Sequence, residues 1–161
     1  MKELPHTHSC FVCGDTNPRG LKMRFHTDGR VVTARFKPCP EHIGFKGVVH
    51  GGITATVLDE IMVWACVVAT KQFAYCAELN VRYLRPLTPD VEVSVTSELV
   101  VDRRGRIFEA KAAVLDSTGA PLVQATGKYM PIRTADASLM MADFVGDAGW
   151  LLRPDPAAGT I

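Results

Sequence analysis

The sequence has almost no excess of charge of either sign: 18 Lys and Arg residues face 17 Asp and Glu residues, for a net charge of +1. This balance argues against a protein that acts mainly by binding nucleic acid or an anionic membrane. The N-terminus, MKELPHTHSC, lacks the apolar core of a signal peptide. The longest apolar run, Ile61 to Thr70, is too short to span a bilayer. We therefore expect a cytoplasmic protein with no nucleic-acid or membrane partner.

The sequence also lacks a regular cysteine framework, internal repeats and low-complexity segments. An odd number of cysteines, five, fits reduced thiols in a cytoplasm better than disulfides. With 161 residues, 47% of them hydrophobic, the chain is long enough for one domain with a sizeable core. This composition excludes an intrinsically disordered protein.

Apolar periodicity predicts one long helix and about six strands. The helix lies at about residues 51–70, with two strands before it and four after it. The strands are predicted at Leu21 to His26, Arg30 to Lys37, Cys76 to Tyr83, Val91 to Val101, Arg106 to Asp116 and Pro121 to Pro131. Turn residues between the last four indicate an antiparallel meander. The order β-β-α-β-β-β-β predicts an α+β fold of two layers, with the sheet curled around the helix.

Composition divides the chain into three parts. Residues 1–20, rich in Cys, His, Pro and Gly, are expected to form an irregular lead-in, and residues 21–132 the folded domain. Residues 133–161 are expected to form a C-terminal tail, which Trp150, Leu151 and Leu152 can dock on a surface.

The most informative stretch is GVVHGGITATVLDEIMVWA, residues 47–65. Two glycines open an apolar helix, and Asp59 lies within it. Glycines at a helix start let the backbone approach a ligand and leave its N–H groups free to donate. A carboxylate inside an apolar helix is costly unless it is paired or used. The stretch therefore predicts a site with hydrogen-bond donors and a base.

This stretch, with the strand ELNVRYLRPL (78–87) and the opening CFVCGDTNPRGL (10–21), resembles the hotdog-fold acyl-CoA thioesterases of the phenylacetate-pathway, PaaI-like type. The resemblance covers about residues 10–132. It implies a long central helix wrapped by a curved antiparallel sheet, and hydrolysis of an acyl-CoA by a homo-oligomer with sites at subunit interfaces. No cofactor is implied beyond the CoA of the substrate.

The chemistry of the motif agrees with this implication. Backbone N–H groups of Gly51 and Gly52 can stabilise an oxyanion, and Asp59 can act as general base or as nucleophile. Gly52 and Asp59 lie seven residues apart, or roughly 10 Å along a helix. Since reacting groups must meet at one carbonyl, we expect two antiparallel helices of a dimer, or of a dimer of dimers, to share each site. His50 orients the loop or substrate, or pins the backbone.

Supporting residues are predicted around this pair. Thr56 shares the helix face of Asp59 and is expected to contact it, whereas Glu60 points elsewhere and is expected to form an ion pair. Relatives often carry Asn or Gln six residues before the motif histidine, where this chain has Gly44; His42 or Lys46 is a candidate substitute. Relatives often carry Ser or Thr where this chain has Cys76, which is a weaker donor or a core residue.

Two further groups are candidates for binding. Substrate phosphates need basic residues, and we consider Arg82, Arg85 and the turn residues Arg103, Arg104 and Arg106. No metal is assigned to the active site. A structural zinc held by His6, His8, Cys10 and Cys13 is an alternative, because Cys-x-x-Cys is a known zinc spacing.

The leading prediction is therefore an acyl-CoA thioesterase. The alternative is a hotdog protein that binds or senses acyl-CoA without hydrolysing it, since the positions of Gly44 and Cys76 depart from the family pattern. A hydratase is disfavoured, because no hydratase-type motif is present. The sequence does not identify the acyl group. The apolar residues Phe45 and Trp64 allow aryl or medium-length aliphatic acyl chains.

Overall fold

A computed structural model describes residues 1–132 and 140–151 of the chain. It contains one long helix, α1, two short 3-10 helices at Pro40–His42 and Gly149–Leu151, and eleven strands. The main elements are β1 (Lys2–Glu3), β2 (His6–Thr7), β3 (Phe25–Thr27), β4 (Val31–Phe36), β5 (Ile43–Phe45), β6 (Val48–Val49), α1 (Gly51–Thr70), β7 (Ala74–Tyr83), β8 (Val93–Asp102), β9 (Phe108–Leu115), β10 (Pro121–Pro131) and β11 (Phe144–Val145).

Seven strands form one antiparallel sheet in the order β1-β3-β4-β8-β9-β10-β7. The α+β hotdog fold is thus confirmed, but the predicted four-strand meander is wrong. Strands β8, β9 and β10 follow one another as predicted, whereas β7 pairs with β10 at the edge and β4 pairs with β8. Turn residues fix where strands end but not which strand lies beside which. Residues 84–92 carry the chain from β7 at the edge of the sheet to β8 between β4 and β9.

The predicted element bounds agree closely, apart from the first strand. The predicted strand Leu21 to His26 is confined to Phe25–Thr27, because Lys22 has a φ of 55° and interrupts the extended backbone. Helix α1 occupies Gly51–Thr70 and ends where Lys71 turns left-handed, with a φ of 60°. The turn at Asp90, with a φ of 64°, precedes β8.

Helix α1 lies in the concave face of the sheet and supplies much of the core. Val57, Leu58 and Ile61 have no exposed surface, and they pack against inward residues of the strands. With 20 residues, α1 is long and apolar enough to cross a membrane by length and composition alone. The argument that the apolar run Ile61 to Thr70 is too short to span a bilayer therefore does not apply to the complete helix. Its burial against the sheet is typical of the core helix of a globular fold.

Strand β7 forms the far edge of the sheet, and among the described residues it pairs only with β10. Leu79, Val81 and Tyr83 share one side of the strand, as the alternation predicts. A β-bulge interrupts the register, since Glu78 lies opposite Lys128 and Cys76 lies opposite Tyr129. The bulge leaves Ala77 without a partner on β10 and changes the face on which Cys76 lies.

Both ends of the described chain pack onto this body. In the predicted lead-in, β1 joins the sheet beside β3, and Leu4, Val12 and Cys13 are buried. Near the other end, Leu151 is fully buried, and the ring of Trp150 lies under the ammonium of Lys2, 3.7 Å from its centroid. Residues 133–139 and 152–161 of the predicted tail, including Leu152, lie outside the described residues.

Candidate active site

His50 caps the N-terminus of α1. Its backbone is extended, and its ring Nδ1 accepts the Gly52 N–H at 2.9 Å. The predicted role as a backbone pin is therefore seen in the structure. Because a ring nitrogen that accepts carries no proton, this bond places the proton of neutral His50 on Nε2. The bond also occupies the N–H of Gly52, so this group is not the free donor that the motif predicts.

Gly51 lies next to the side chain of Tyr83. The Tyr83 hydroxyl donates to the Gly51 carbonyl at 2.6 Å. A Cβ at position 51 would lie 3.2 Å from that hydroxyl, so a larger residue would push the tyrosine away. Among the described residues, no acceptor binds the Gly51 N–H. This N–H is the available donor at the start of the helix.

Asp59 lies in the middle of α1 and is bound by Tyr129 of β10. The Tyr129 hydroxyl donates to Asp59 Oδ1 at 3.0 Å, and its ring is fully buried. Burial and the negative charge of Asp59 both raise the pKa of Tyr129, so the phenol stays protonated. Tyr129 is not among the predicted site residues. Its signal is a tyrosine at an inward position of a strand, whose buried hydroxyl needs a partner.

Gly127 makes room for the ring of Tyr129. The two residues share the inward face of β10, and a Cβ at position 127 would lie 2.6 Å from the tyrosine Cε2. No real Cβ makes a contact that short. The absent side chain at position 127 thus lets the ring of Tyr129 lie along the sheet.

Cys76 is the second neighbour of Asp59. The bulge in β7 sets it opposite Tyr129, and its thiol lies within hydrogen-bonding reach of the Asp59 carboxylate. Partial burial, followed by the bond to Asp59 and its charge, raises the pKa of Cys76 to about 11. The thiol is therefore neutral at pH 7 and able to donate weakly to the carboxylate. This position favours the donor interpretation of Cys76 over the core one.

Two predicted contacts of the helix are wrong. The Thr56 hydroxyl donates to the Gly52 carbonyl at 2.8 Å, one turn back along the helix, and not to Asp59. Glu60 forms no ion pair with a basic side chain among residues 1–132 and 140–151. It accepts the indole N–H of Trp64 at 3.2 Å instead. Burial, above all, raises the pKa of Glu60 to about 8.

The loop before the helix offers no replacement for the amide that relatives carry at position 44. A Cβ at Gly44 would lie 3.0 Å from Cδ2 of His50, so a side chain there would disturb the capping ring. The ring of His42 is engaged elsewhere: its Nδ1 accepts the N–H of Cys39 at 3.2 Å, and it stacks on Phe36. The structure shows no contact of Lys46 with the site.

The candidate arginines are spread over the molecule. Arg85 lines a pocket of about 440 Å³ beside Gly51, and it forms an ion pair with Asp116 at 2.9 Å. Arg82 lines a concavity of about 550 Å³ on the outer face of the sheet, remote from α1. Arg104 lies in the β8–β9 turn, at the opposite end of the strands from Tyr83. Within one chain, only Arg85 is close to the helix start.

The two residues predicted near the acyl group, Phe45 and Trp64, lie in different environments. Phe45 is 82% exposed and lines the pocket at the helix start. Trp64 is buried and packs against Phe25, Phe73 and Phe144, so it belongs to the core. The prediction that it borders the acyl group is therefore wrong within the single chain.

The two halves of the motif do not meet within one chain. Gly51 is held near Tyr83, while Asp59 lies near Cys76 and Tyr129, farther along the same pair of strands. Eight residues of helix separate them by about 12 Å. A single carbonyl cannot contact both groups of the same chain.

The predicted four-ligand zinc cluster does not form. His6 and His8 both face Asp15, at 3.6 and 3.0 Å. Cys10 and Cys13 instead converge with Glu60, and their sulfur and oxygen atoms all lie within 4.8 Å of one another. Among the described residues, this is the group able to hold a metal ion.

Comparison with known proteins agrees with the fold and the motif. The model of the thioesterase superfamily matches residues 46–120, which include the helix, so the predicted resemblance to that superfamily is confirmed. No curated protein matches the chain. A crystal structure of a thioesterase superfamily protein is similar with a TM-score of 0.70 and 24% identity, over 77% of this chain and 60% of that one. The chain thus spans less than two thirds of that relative.

Two further structures are matched over more of their own length. The E. coli PaaI protein from the phenylacetic acid degradation operon has a TM-score of 0.65 and 14% identity, over 74% of this chain and 86% of its own. A Streptococcus mutans protein, solved bound to acetyl CoA, has a TM-score of 0.63 and 16% identity, over 68% of this chain and 88% of its own. At these identities the likeness shows a shared fold.

Proposed function

We propose that this chain, as a relative of the thioesterase superfamily, hydrolyses the thioester of an acyl-CoA to a free acid and CoA. The observation that carries the proposal is the Asp59 carboxylate, which accepts a hydrogen bond from the Tyr129 hydroxyl and interacts with the neighbouring Cys76 thiol near the β7 edge. A fixed carboxylate at a surface that a second chain can complete fits a general base or nucleophile. The acetyl CoA bound to the similar S. mutans protein supports the substrate class.

Asp59 performs the proposed chemistry by one of two routes. As a base it takes a proton from water, the hydroxide adds to the thioester carbonyl, and the tetrahedral intermediate expels CoA. As a nucleophile it adds to the carbonyl itself, expels CoA and leaves an acyl–Asp59 anhydride that water then cleaves. Tyr129 and Cys76 orient the carboxylate in both routes. The geometry supports both.

We assign oxyanion stabilisation to the N–H of Gly51. The Gly52 N–H, the other candidate, already binds His50. That bond, together with the bond from Tyr83 to the Gly51 carbonyl, holds the first turn in place. The positive end of the helix dipole adds to the stabilisation of a negative oxygen. His50 thus serves catalysis by positioning the helix start.

A dimer is required to bring Gly51 and Asp59 to one thioester. The edge of β7 invites pairing, since it presents a long strand with the large side chains Tyr75 and Tyr83 61% and 51% exposed. Two β7 strands paired about a two-fold axis set two α1 helices antiparallel, so that each Gly51 approaches the Asp59 of the other chain.

The pocket at the helix start is the proposed entry for the thioester. Phe45 and Tyr83 offer apolar and aromatic surface there, and Arg85 offers a cation for a CoA phosphate. Its ion pair with Asp116 is partly exposed and can rearrange at small cost. The side chains allow aryl and aliphatic acyl groups.

Thiol release from a panel of acyl-CoAs, varied in chain length and aromaticity, tests the proposal. We expect turnover of at least one member, and its loss in Asp59→Asn, with the oligomeric state kept by size-exclusion chromatography. Glu92→Gln, a change at an exposed carboxylate just before β8, is the matched control. Equal turnover in Asp59→Asn and the control would exclude Asp59 as the base or nucleophile.

The second candidate is acyl-CoA binding without hydrolysis. Two observations favour it: a side chain at position 44, where relatives carry an amide, would press on His50, and the thiol of Cys76 is a weak donor. Calorimetry distinguishes the candidates. Saturable heat of acyl-CoA binding, with no thiol released over the whole panel, would identify a binding protein.

A further inference from the structure

A second group of ionisable side chains lies beside α1, about 100° round the helix from Asp59. Cys10 and Cys13 come from the N-terminal segment, and Glu60 comes from the middle of the helix. Their Sγ and carboxylate oxygen atoms lie within 4.8 Å of one another. The proposed thioester chemistry does not use this group.

The backbone around the two cysteines is shaped to bring both sulfurs to one point. The Gly14 N–H donates to the Cys10 carbonyl at 2.9 Å and closes a tight turn. A Cβ at Gly14 would lie 2.3 Å from that carbonyl oxygen, so the turn requires glycine. The Val12 N–H donates to Cys10 Sγ at 3.2 Å. A backbone N–H directed at sulfur stabilises a thiolate, which is the form that binds metals.

Glu60 completes the group from the helix. Its Oε1 accepts the indole N–H of Trp64 at 3.2 Å and contacts Cys10 Sγ at 3.8 Å. Within residues 1–132 and 140–151, no Lys, Arg or His pairs with it. A carboxylate enclosed beside two thiols, with no cation, is unfavourable unless it is neutralised or binds a metal.

We propose that Cys10, Cys13 and Glu60 bind a structural zinc ion. Two thiolates and one carboxylate are ligand types that zinc accepts, and Cys-x-x-Cys is a spacing it uses. Water fills the fourth position. Binding displaces to solvent the protons carried by the two thiols and by the Glu60 carboxyl, and it changes no oxidation state. His6 and His8, which the sequence analysis paired with these cysteines, hold Asp15 instead.

Such an ion ties the N-terminal segment to the helix turn that carries Asp59. Leu4 and Val12 of that segment are buried, but its two strands are only two residues long each. An ion with two bonds to the segment, from Cys10 and Cys13, and one bond to Glu60 of α1 would hold the segment more firmly than those strands do. The ion is therefore expected to raise the stability of the fold.

Metal content of the full chain, purified without a histidine tag, tests the site. We expect about one zinc per chain, and a small fraction of that in Cys10→Ser and in Glu60→Gln. Cys39→Ser, a cysteine outside the group, is the matched control. Replacement of zinc by Co²⁺ should give a thiolate-to-cobalt absorption band, present in the control and lost in Cys10→Ser. Zinc retained in both ligand variants at the control level would overturn the assignment.

A measurement of thermal stability tests the site if a ligand variant loses zinc only because it folds poorly. The parent chain and Cys39→Ser, stripped with a chelator, should regain thermal stability when Zn²⁺ is added, whereas folded Glu60→Gln should not. Because this readout involves no acyl-CoA, it is independent of the proposed thioesterase activity. A Cys10–Cys13 disulfide in the purified chain, found by mass spectrometry without bound metal, would contradict the proposal.

Discussion

Asp59 and Glu60 are adjacent carboxylates on one helix, and their surroundings differ in almost every respect. Asp59 faces the free edge of the sheet, where a phenol and a thiol donate to it. Glu60 faces the N-terminal segment, where two cysteines and an indole surround it. One step of about 100° around the helix separates them. The comparison shows that the role of a charged residue in an apolar helix depends on the residues that pack against its side of the helix.

The largest expected difference between the two carboxylates is in turnover. Asp59→Asn should lower thioester hydrolysis by about 10²–10⁴-fold, because the base or nucleophile is lost. Glu60→Gln should lower it far less, when assayed well below the unfolding temperature of each variant. Initial rates of thiol release give both numbers. Similar losses in the two variants would break the proposed division of roles.

Removal of the donor to Asp59 should give the next largest effect. Tyr129→Phe keeps the ring but deletes the hydroxyl that donates to the carboxylate. A hydrogen bond to a charged group contributes about 1.5–3 kcal/mol, so turnover should fall by about 10- to 100-fold. Steady-state kinetics with the best acyl-CoA of the panel measures the loss. Tyr83→Phe, which deletes a hydroxyl bound to a backbone carbonyl, is a matched comparison.

The reactivity of Cys76 reports on Asp59 without any substrate. The negative charge of Asp59 contributes to a thiol pKa of about 11, so alkylation by iodoacetamide at pH 8 should be slow and should rise as pH approaches 11. In Asp59→Asn that charge is absent, the pKa of Cys76 falls, and alkylation at pH 8 should be several-fold faster. Mass spectrometry of the modified peptide follows the rate. Equal rates in the two proteins would place the thiol away from the carboxylate.

The smallest expected effect concerns the helix cap. His50→Ala deletes the acceptor for the Gly52 N–H and should cost about 0.5–2 kcal/mol of unfolding free energy. His50→Asn, which can cap through its side-chain oxygen, should recover most of it. Urea denaturation followed by circular dichroism gives the values. A stable His50→Ala variant that loses turnover would show that the ring does more than position the helix.

Much of this molecule follows from its residue pattern. The start of α1 at the glycine pair is marked by His50-Gly51-Gly52, and its end lies where apolar periodicity stops. The position of Asp59 within an apolar helix predicts a functional role for it before any neighbour is known. These features are local, because helix geometry and capping depend on residues a few positions apart.

The neighbours of these residues could not be predicted in the same way. Strict alternation along β7 places Ala77, not Cys76, on the face of Leu79 and Val81, and only the bulge brings the thiol to Asp59. Tyr129 lies 70 residues from Asp59 and meets it because β10 pairs with β7. Glu60 and Cys10 are 50 residues apart. Contacts of this kind depend on strand order, which turn residues do not encode.

Position 127 of the sheet is expected to be very sensitive to mutation, although glycine has no functional group. Gly127 has no side chain and donates nothing to Asp59, yet the phenol reaches its place only because that side chain is missing. A methyl group there would displace the ring and resemble, in a functional screen, damage to the active site itself. A map of mutational tolerance over β10 would therefore show an intolerant glycine beside tolerant outward residues such as Lys128.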